Sequence, residues 1–181
     1  MEMKLVRSLL LFVVILFLGA CSSEKEKLIS QIKTAETGLL NDTSLVVNLE
    51  KGKAVKEMYL KFVELYPKDT MSGSFLFKAA DLSNSMRDPN TTVELLGRLL
   101  NKYPDHPRCA SALFMQAFVY DTELHSPESA KAKYKEFVQR FPNDPLAPSA
   151  QATYEQLEMG ISDEELVKKF QMMNDSSNTS N

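Results

Sequence analysis

Apolar positions recur along this chain at helical spacing, and the helices they mark stop at prolines set a nearly constant distance apart. Ala130, Tyr134, Phe137 and Val138 stand at i, i+4, i+7 and i+8, which puts them on one helix face. Thr92, Leu96, Leu99 and Leu100 repeat that stripe, and Val55, Tyr59 and Phe62 repeat it again. These helices end at Tyr66-Pro67-Lys68-Asp69, Tyr103-Pro104-Asp105-His106-Pro107 and Phe141-Pro142-Asn143-Asp144-Pro145, with the first prolines 37 and 38 residues apart. A fixed period of this length marks stacked helical repeats, which mostly bind other proteins.

Sliding the sequence by 38 lays Phe75-Leu76-Phe77-Lys78-Ala79 on Leu113-Phe114-Met115-Gln116-Ala117, and Arg87-Asp88-Pro89 on His125-Ser126-Pro127. Each unit thus has a first helix with a small residue where a neighbour approaches closely (Ala79, Ala117). A polar cap and a proline then open the second helix, since proline is tolerated where no amide partner is needed. The pattern predicts helices over 24–37, 49–66, 71–86, 89–103, 108–124, 127–141, 146–159 and 162–172. Asn41-Asp42-Thr43-Ser44 interrupts the chain before Asn48 caps the second helix. Ser162 to Glu165 reads as a capping box opening a last helix with Leu166, Val167 and Phe170 on one face. Outside the first twenty residues, no segment alternates as a half-buried strand would.

The Ala, aromatic, large apolar, Pro spacing of the second helices resembles the tetratricopeptide repeat over residues 49 to about 159. Ala79 and Ala117 take that family's small position and Tyr120 its tyrosine. Tryptophan is absent, Leu82 replaces a tyrosine, and Lys78 and Gln116 stand where an apolar residue is expected. The period also exceeds the family's usual ~34. Longer periods with Tyr-Pro-Asp-x-Pro endings resemble repeats of bacterial cell-envelope lipoproteins, including the barrel-assembly lipoprotein and the Tol-Pal-associated periplasmic protein. The resemblance implies an all-α, right-handed superhelix of antiparallel helix pairs. About two full and two half repeats fit the length, with 162–172 as a C-terminal capping helix. It further implies a concave face lined by first helices. On that register Leu76, Ala80 and Ser83, then Phe114, Phe118 and Asp121, then Ala152 and Gln156, would hold a segment of a protein partner. Phe114 and Phe118, at i and i+4, fit core packing between helices equally well.

The first twenty residues are of another kind. Lys4 and Arg7 precede an unbroken apolar run from Leu9 to Leu18, ten residues long. At ~1.5 Å per residue that run covers about half a hydrocarbon core, the length of a signal-peptide core and short of a membrane span. Leu18-Gly19-Ala20-Cys21 resembles the lipobox of bacterial lipoproteins, the alternative being an ordinary secretory signal. The resemblance implies cleavage before Cys21, acylation of that residue, and a soluble body tethered by its lipid. Ser22 and Ser23 after the cysteine resemble the pattern that sorts lipoproteins to the outer membrane, with the body facing the periplasm. The expected organisation is therefore a leader over 1–20, a lipidated spacer or first helix over 21–48, repeats over 49–172, and a disordered polar tail over 173–181. The helix at 24–37 would close the array or act as a lipid-proximal spacer.

Charge narrows the function classes. A net charge of −3 over 181 residues gives no general attraction to nucleic acid or to an anionic surface. With Cys21 lipidated, Cys109 is the one remaining thiol, so no intramolecular disulfide forms. Cys109 opens a helix, where the dipole can lower a thiol's pKa, which would suit a nucleophile; a small residue packed on the preceding turn is the other reading. Asp105, His106 and Cys109 make a metal set on paper, against which stand ordinary turn residues. No phosphate loop, HExxH or nucleophile elbow occurs. The chain therefore reads as a non-enzyme without metal, cofactor or small-molecule substrate: a tethered adaptor for an envelope protein. The alternatives are a subunit of the barrel-assembly machinery, or an accessory to cell-wall synthesis or division.

Overall fold

A computed structural model describes residues 24–40, 48–160, 168 and 171–172. The elements are α1 (residues 24–40), α2 (Leu49–Leu65), α3 (Thr70–Ser85), α4 (Pro89–Lys102), α5 (Cys109–Thr122), α6 (Pro127–Arg140) and α7 (Ala147–Met159). No strand occurs among the described residues, and each of these helices ends within three residues of its predicted bounds. The fold is all-α and built from a recurring helical unit. The expected leader over 1–20, Cys21 and the expected tail over 173–181 lie outside the described residues. So does most of the expected helix at 162–172, of which 168, 171 and 172 are helical.

One turn is used three times, between α2 and α3, α4 and α5, and α6 and α7. The amides of Asp69, His106 and Asp144 donate to the carbonyls of Tyr66, Tyr103 and Phe141 at 3.0, 3.0 and 3.1 Å. The amides of Ser72, Cys109 and Ala147 then donate to the carbonyls of Asp69, His106 and Asp144 at 3.0, 2.9 and 2.9 Å. In each turn the middle side chain also accepts from the amide two residues on. Asp69 Oδ1 takes Met71 N–H at 2.9 Å, His106 Nδ1 takes Arg108 N–H at 3.2 Å, and Asp144 Oδ1 takes Leu146 N–H at 2.9 Å. Such side-chain-to-backbone bonds satisfy amides that a helix start leaves unpaired.

The other junctions also recur. Arg87 and His125 are 38 residues apart and have φ of 61° and 47°, the left-handed region. That conformation turns the chain so that the next amide reaches back into the preceding helix, Asp88 N–H to Ser83 O at 3.0 Å and Ser126 N–H to Tyr120 O at 2.8 Å. Pro89 and Pro127 follow two residues later and start α4 and α6. Ser126 was expected to cap α6. Its hydroxyl instead donates to Ser129 Oγ at 2.9 Å and caps no amide.

The chain divides after Asp88 into two compact units, α1 to α3 and α4 to α7. In the first, Leu28 and Ile32 of α1 are buried, as are Val55, Tyr59, Phe62 and Val63 of α2. Phe75 of α3 stacks on Tyr59 at 5.3 Å and meets Phe62 edge-on at 4.8 Å. In the second, α5 packs against α4 and α6, and α6 against α7. Ala112, Ala117, Ala130 and Ala150 are fully buried. These small residues let helices approach closely while Leu96, Leu99, Leu113 and Phe137 fill the space between them.

Candidate partner-binding surfaces

The residues expected to line a groove separate by burial. Leu76, Ala80 and Ser83 are fully buried. Ser83 Oγ is also committed to Ala79 O at 2.9 Å, so this stripe of α3 is core and offers a partner no surface. The sequence misled here because Leu76, Ala80 and Ser83 lie beside Phe75 and Ala79. Together they make a buried stripe wider than one neighbouring helix would require. Phe114 is half-buried, edge-on to Tyr134 at 5.8 Å and to Phe137 at 5.4 Å, which places it in the seam between α5 and α6.

Phe118, one turn beyond Phe114 on α5, is 48% exposed. Ser111 and Thr122 on the same stripe are exposed and Asp121 is half-buried. Burial, helped by the Asp121 charge, pushes the Tyr134 phenol up to about 12. On α7, Ala152 is exposed and Gln156 half-buried; Met159 extends their stripe and is 57% exposed. Met159 went unnoticed because it lies at a helix end, where an apolar residue reads as the last core position.

The two polar departures from the family pattern each have a partner. Gln116 Nε2 donates to Val93 O on α4 at 2.8 Å, and an added Cβ on Gly97 would stand 3.2 Å from that nitrogen. Lys78 Nζ reaches Glu36 Oε1 on α1 at 2.7 Å, and Tyr59 OH donates to the same oxygen at 2.7 Å. Burial pushes the Glu36 carboxyl up, but the bonds from Lys78 and Tyr59 outweigh it and hold the group below its ordinary value. At the other end of α1, Lys25 pairs with Asp69 at 3.0 Å; the Met71 amide and Lys25 hold that carboxyl down as well. Thus α1 is part of the first unit, bound by two buried apolar residues and two ionic ties.

Two open pockets flank α1. One, about 300 Å³, has Leu39, Leu40 and Leu82 beside the Glu36, Tyr59 and Lys78 cluster. The other, about 440 Å³, lies between the first turns of α1 and the end of α2. Sequence reasoning missed both, because neither follows from periodicity.

The chemical candidates resolve into turn structure. Burial raises the Cys109 thiol, and the His106 amide hydrogen bond and the Arg140 charge do not offset it. Cys109 Sγ donates to Tyr103 O at 3.2 Å, and His106 Nδ1 is an acceptor in the same turn. Among the described residues, no group of three or more His, Cys, Asp or Glu could hold a metal. Also among them, no helix is long and apolar enough to cross a membrane.

The family model of the tetratricopeptide repeat matches residues 75–106 and 111–144. These stretches cover the later part of α3 with α4, and α5 with α6. Comparison with curated proteins gives no match to this chain. The fold is therefore tetratricopeptide-like, and repeats of this family mediate protein–protein interaction.

Proposed function

We propose that the protein is a non-catalytic adaptor, held on the periplasmic face of the outer membrane by an acylated Cys21, that grips a segment of an envelope protein. The carrying observation is the α5 stripe. In a repeat type that serves protein binding, Phe118 presents a large aromatic to solvent, one turn from a ring anchored in the seam. An exposed aromatic beside a rigid one supplies contact area with few rotamers to freeze on binding. Asp121 beside it suits a partner whose apolar side chains alternate with basic ones. The lipid anchor would confine adaptor and partner to one surface and raise their effective concentration.

Crosslinking capture from the native cell envelope tests this reading. Phe118→Ala should cut partner yield about tenfold or more, the loss of one ~1.5–2 kcal/mol anchor, with the melting temperature little changed. Equal capture by the two proteins would remove α5 from the interface.

A further inference from the structure

We infer that the pocket between α1 and the end of α2 receives the phosphodiester headgroup of an anionic phospholipid, in the leaflet that holds the acylated Cys21. The inference rests on the lipid-anchor reading above, and its test separates the two.

Position comes first. Glu24 forms one wall of the pocket and stands three residues after Cys21. At ~3.3–3.6 Å per residue, that wall lies within about 11 Å of the acylated residue however the link runs. The headgroup layer on each side of a bilayer is of similar thickness, about 5–8 Å. A tether this short brings this pocket, rather than the one at the far end of α1, to the level of the phosphates.

The lining chemistry suits a phosphodiester. Lys27 and Lys61 face the pocket from two helices, Gln31 and Tyr66 add neutral donors, and Glu24 is the single carboxylate. Among the described residues, neither Lys27 nor Lys61 is held in an ion pair, whereas Lys25 and Lys78 are. Two ammonium groups without acidic partners leave a site for the non-bridging oxygens of a phosphate. Leu65, 56% exposed, sits at the same rim, where glycerol and the first methylenes of the lipid would follow. The far pocket makes a useful contrast. Its carboxylates are Glu36 and Asp81, and its one ammonium is bound to Glu36, so an anion finds no free cation there. With a net charge of −3, attraction to anionic lipid has to come from a local site of this kind.

Acetylation footprinting of the acylated mature protein in phosphatidylcholine nanodiscs, with and without phosphatidylglycerol, reads the two ammonium groups directly. Phosphatidylglycerol should slow modification of Lys27 and Lys61 about fivefold, while Lys53 near the other end of α2 keeps its rate. Lys61→Gln should return Lys27 to its phosphatidylcholine rate. Equal rates in both discs overturn the site, and so does protection of Lys27 that survives Lys61→Gln, which is diffuse attraction. Equal protection from inorganic phosphate added to phosphatidylcholine discs overturns the lipid as occupant. Mass spectrometry of the amino-terminal peptide judges the anchor separately. If Cys21 carries no acyl group, the tether fails alone, and the footprint repeated with short-chain phosphatidylglycerol in solution decides for or against the pocket.

Discussion

Cys109 donates its S–H to the carbonyl of Tyr103, the same bond that Ser72 makes from its hydroxyl to the carbonyl of Tyr66 at 2.6 Å. The third turn has Ala147 in that place. The thiol is a weak donor in a position that also takes Ser or Ala, and burial raises its pKa. Cys109→Ser should therefore preserve both stability and partner capture, and iodoacetamide at neutral pH should label native Cys109 far more slowly than the denatured chain. Rapid labelling of the folded protein would reopen the nucleophile reading. His106 is the imidazole among the three turn acceptors, where Asp69 and Asp144 are carboxylates. Its Nδ1 must be unprotonated to accept the Arg108 amide, and burial with the Arg108 charge lowers its pKa. A lowered histidine contributes stability that is full above the unfolded value of 6.5 and is lost as pH falls through the folded value. Thermal melts should show this loss below pH 6.5, on the order of 1 kcal/mol for one turn hydrogen bond. His106→Asp, which copies Asp69 and Asp144, should move the loss into the carboxylate range. An unchanged profile in that variant would mean that another group titrates.

At the scale of elements, α1 shows where the sequence was legible and where it was not. Its helical face with Leu28 and Ile32 could be read from periodicity. Its role as closing helix or spacer could not, because that depends on Glu36 meeting Lys78 and Tyr59 forty-two and twenty-three residues away. The helix ends were legible for the opposite reason: caps and prolines act within a few residues of themselves. The α3 stripe at Leu76, Ala80 and Ser83 misled, since periodicity places a side chain on a face without saying what covers it. The ties of α1 make a pH prediction. Glu36 and Asp69 both have lowered pKa values, so their contribution is full above the ordinary 4.5 and 3.8 and disappears as pH falls through the folded values. Hydrogen exchange in residues 24–40 should accelerate in that acid window before α5 and α6 lose protection. Simultaneous loss would show that α1 is held by Leu28 and Ile32 alone.

For the whole molecule, the proposed tether and the repeats would have separate physical bases. Each can fail without the other. The repeats bury their apolar faces against near neighbours, so their stability is largely a sum of local terms. The proposed anchor would draw on acyl chains, at about 0.8 kcal/mol per buried methylene, and would contribute nothing to that sum. Cys21→Ser should therefore move the protein from the membrane fraction to the soluble one with its melting temperature unchanged. Retention of the variant on membranes would point to a second means of attachment. Arg87 and His125 carry one more consequence. Because the same left-handed exit and the same following proline occur 38 residues apart, the stretch from Pro89 to Ser126 is a cassette with interchangeable edges. A tandem copy spliced in after Ser126 would meet at its start the junction it already has at its end, so an ancestor could add or remove whole modules without devising a new join.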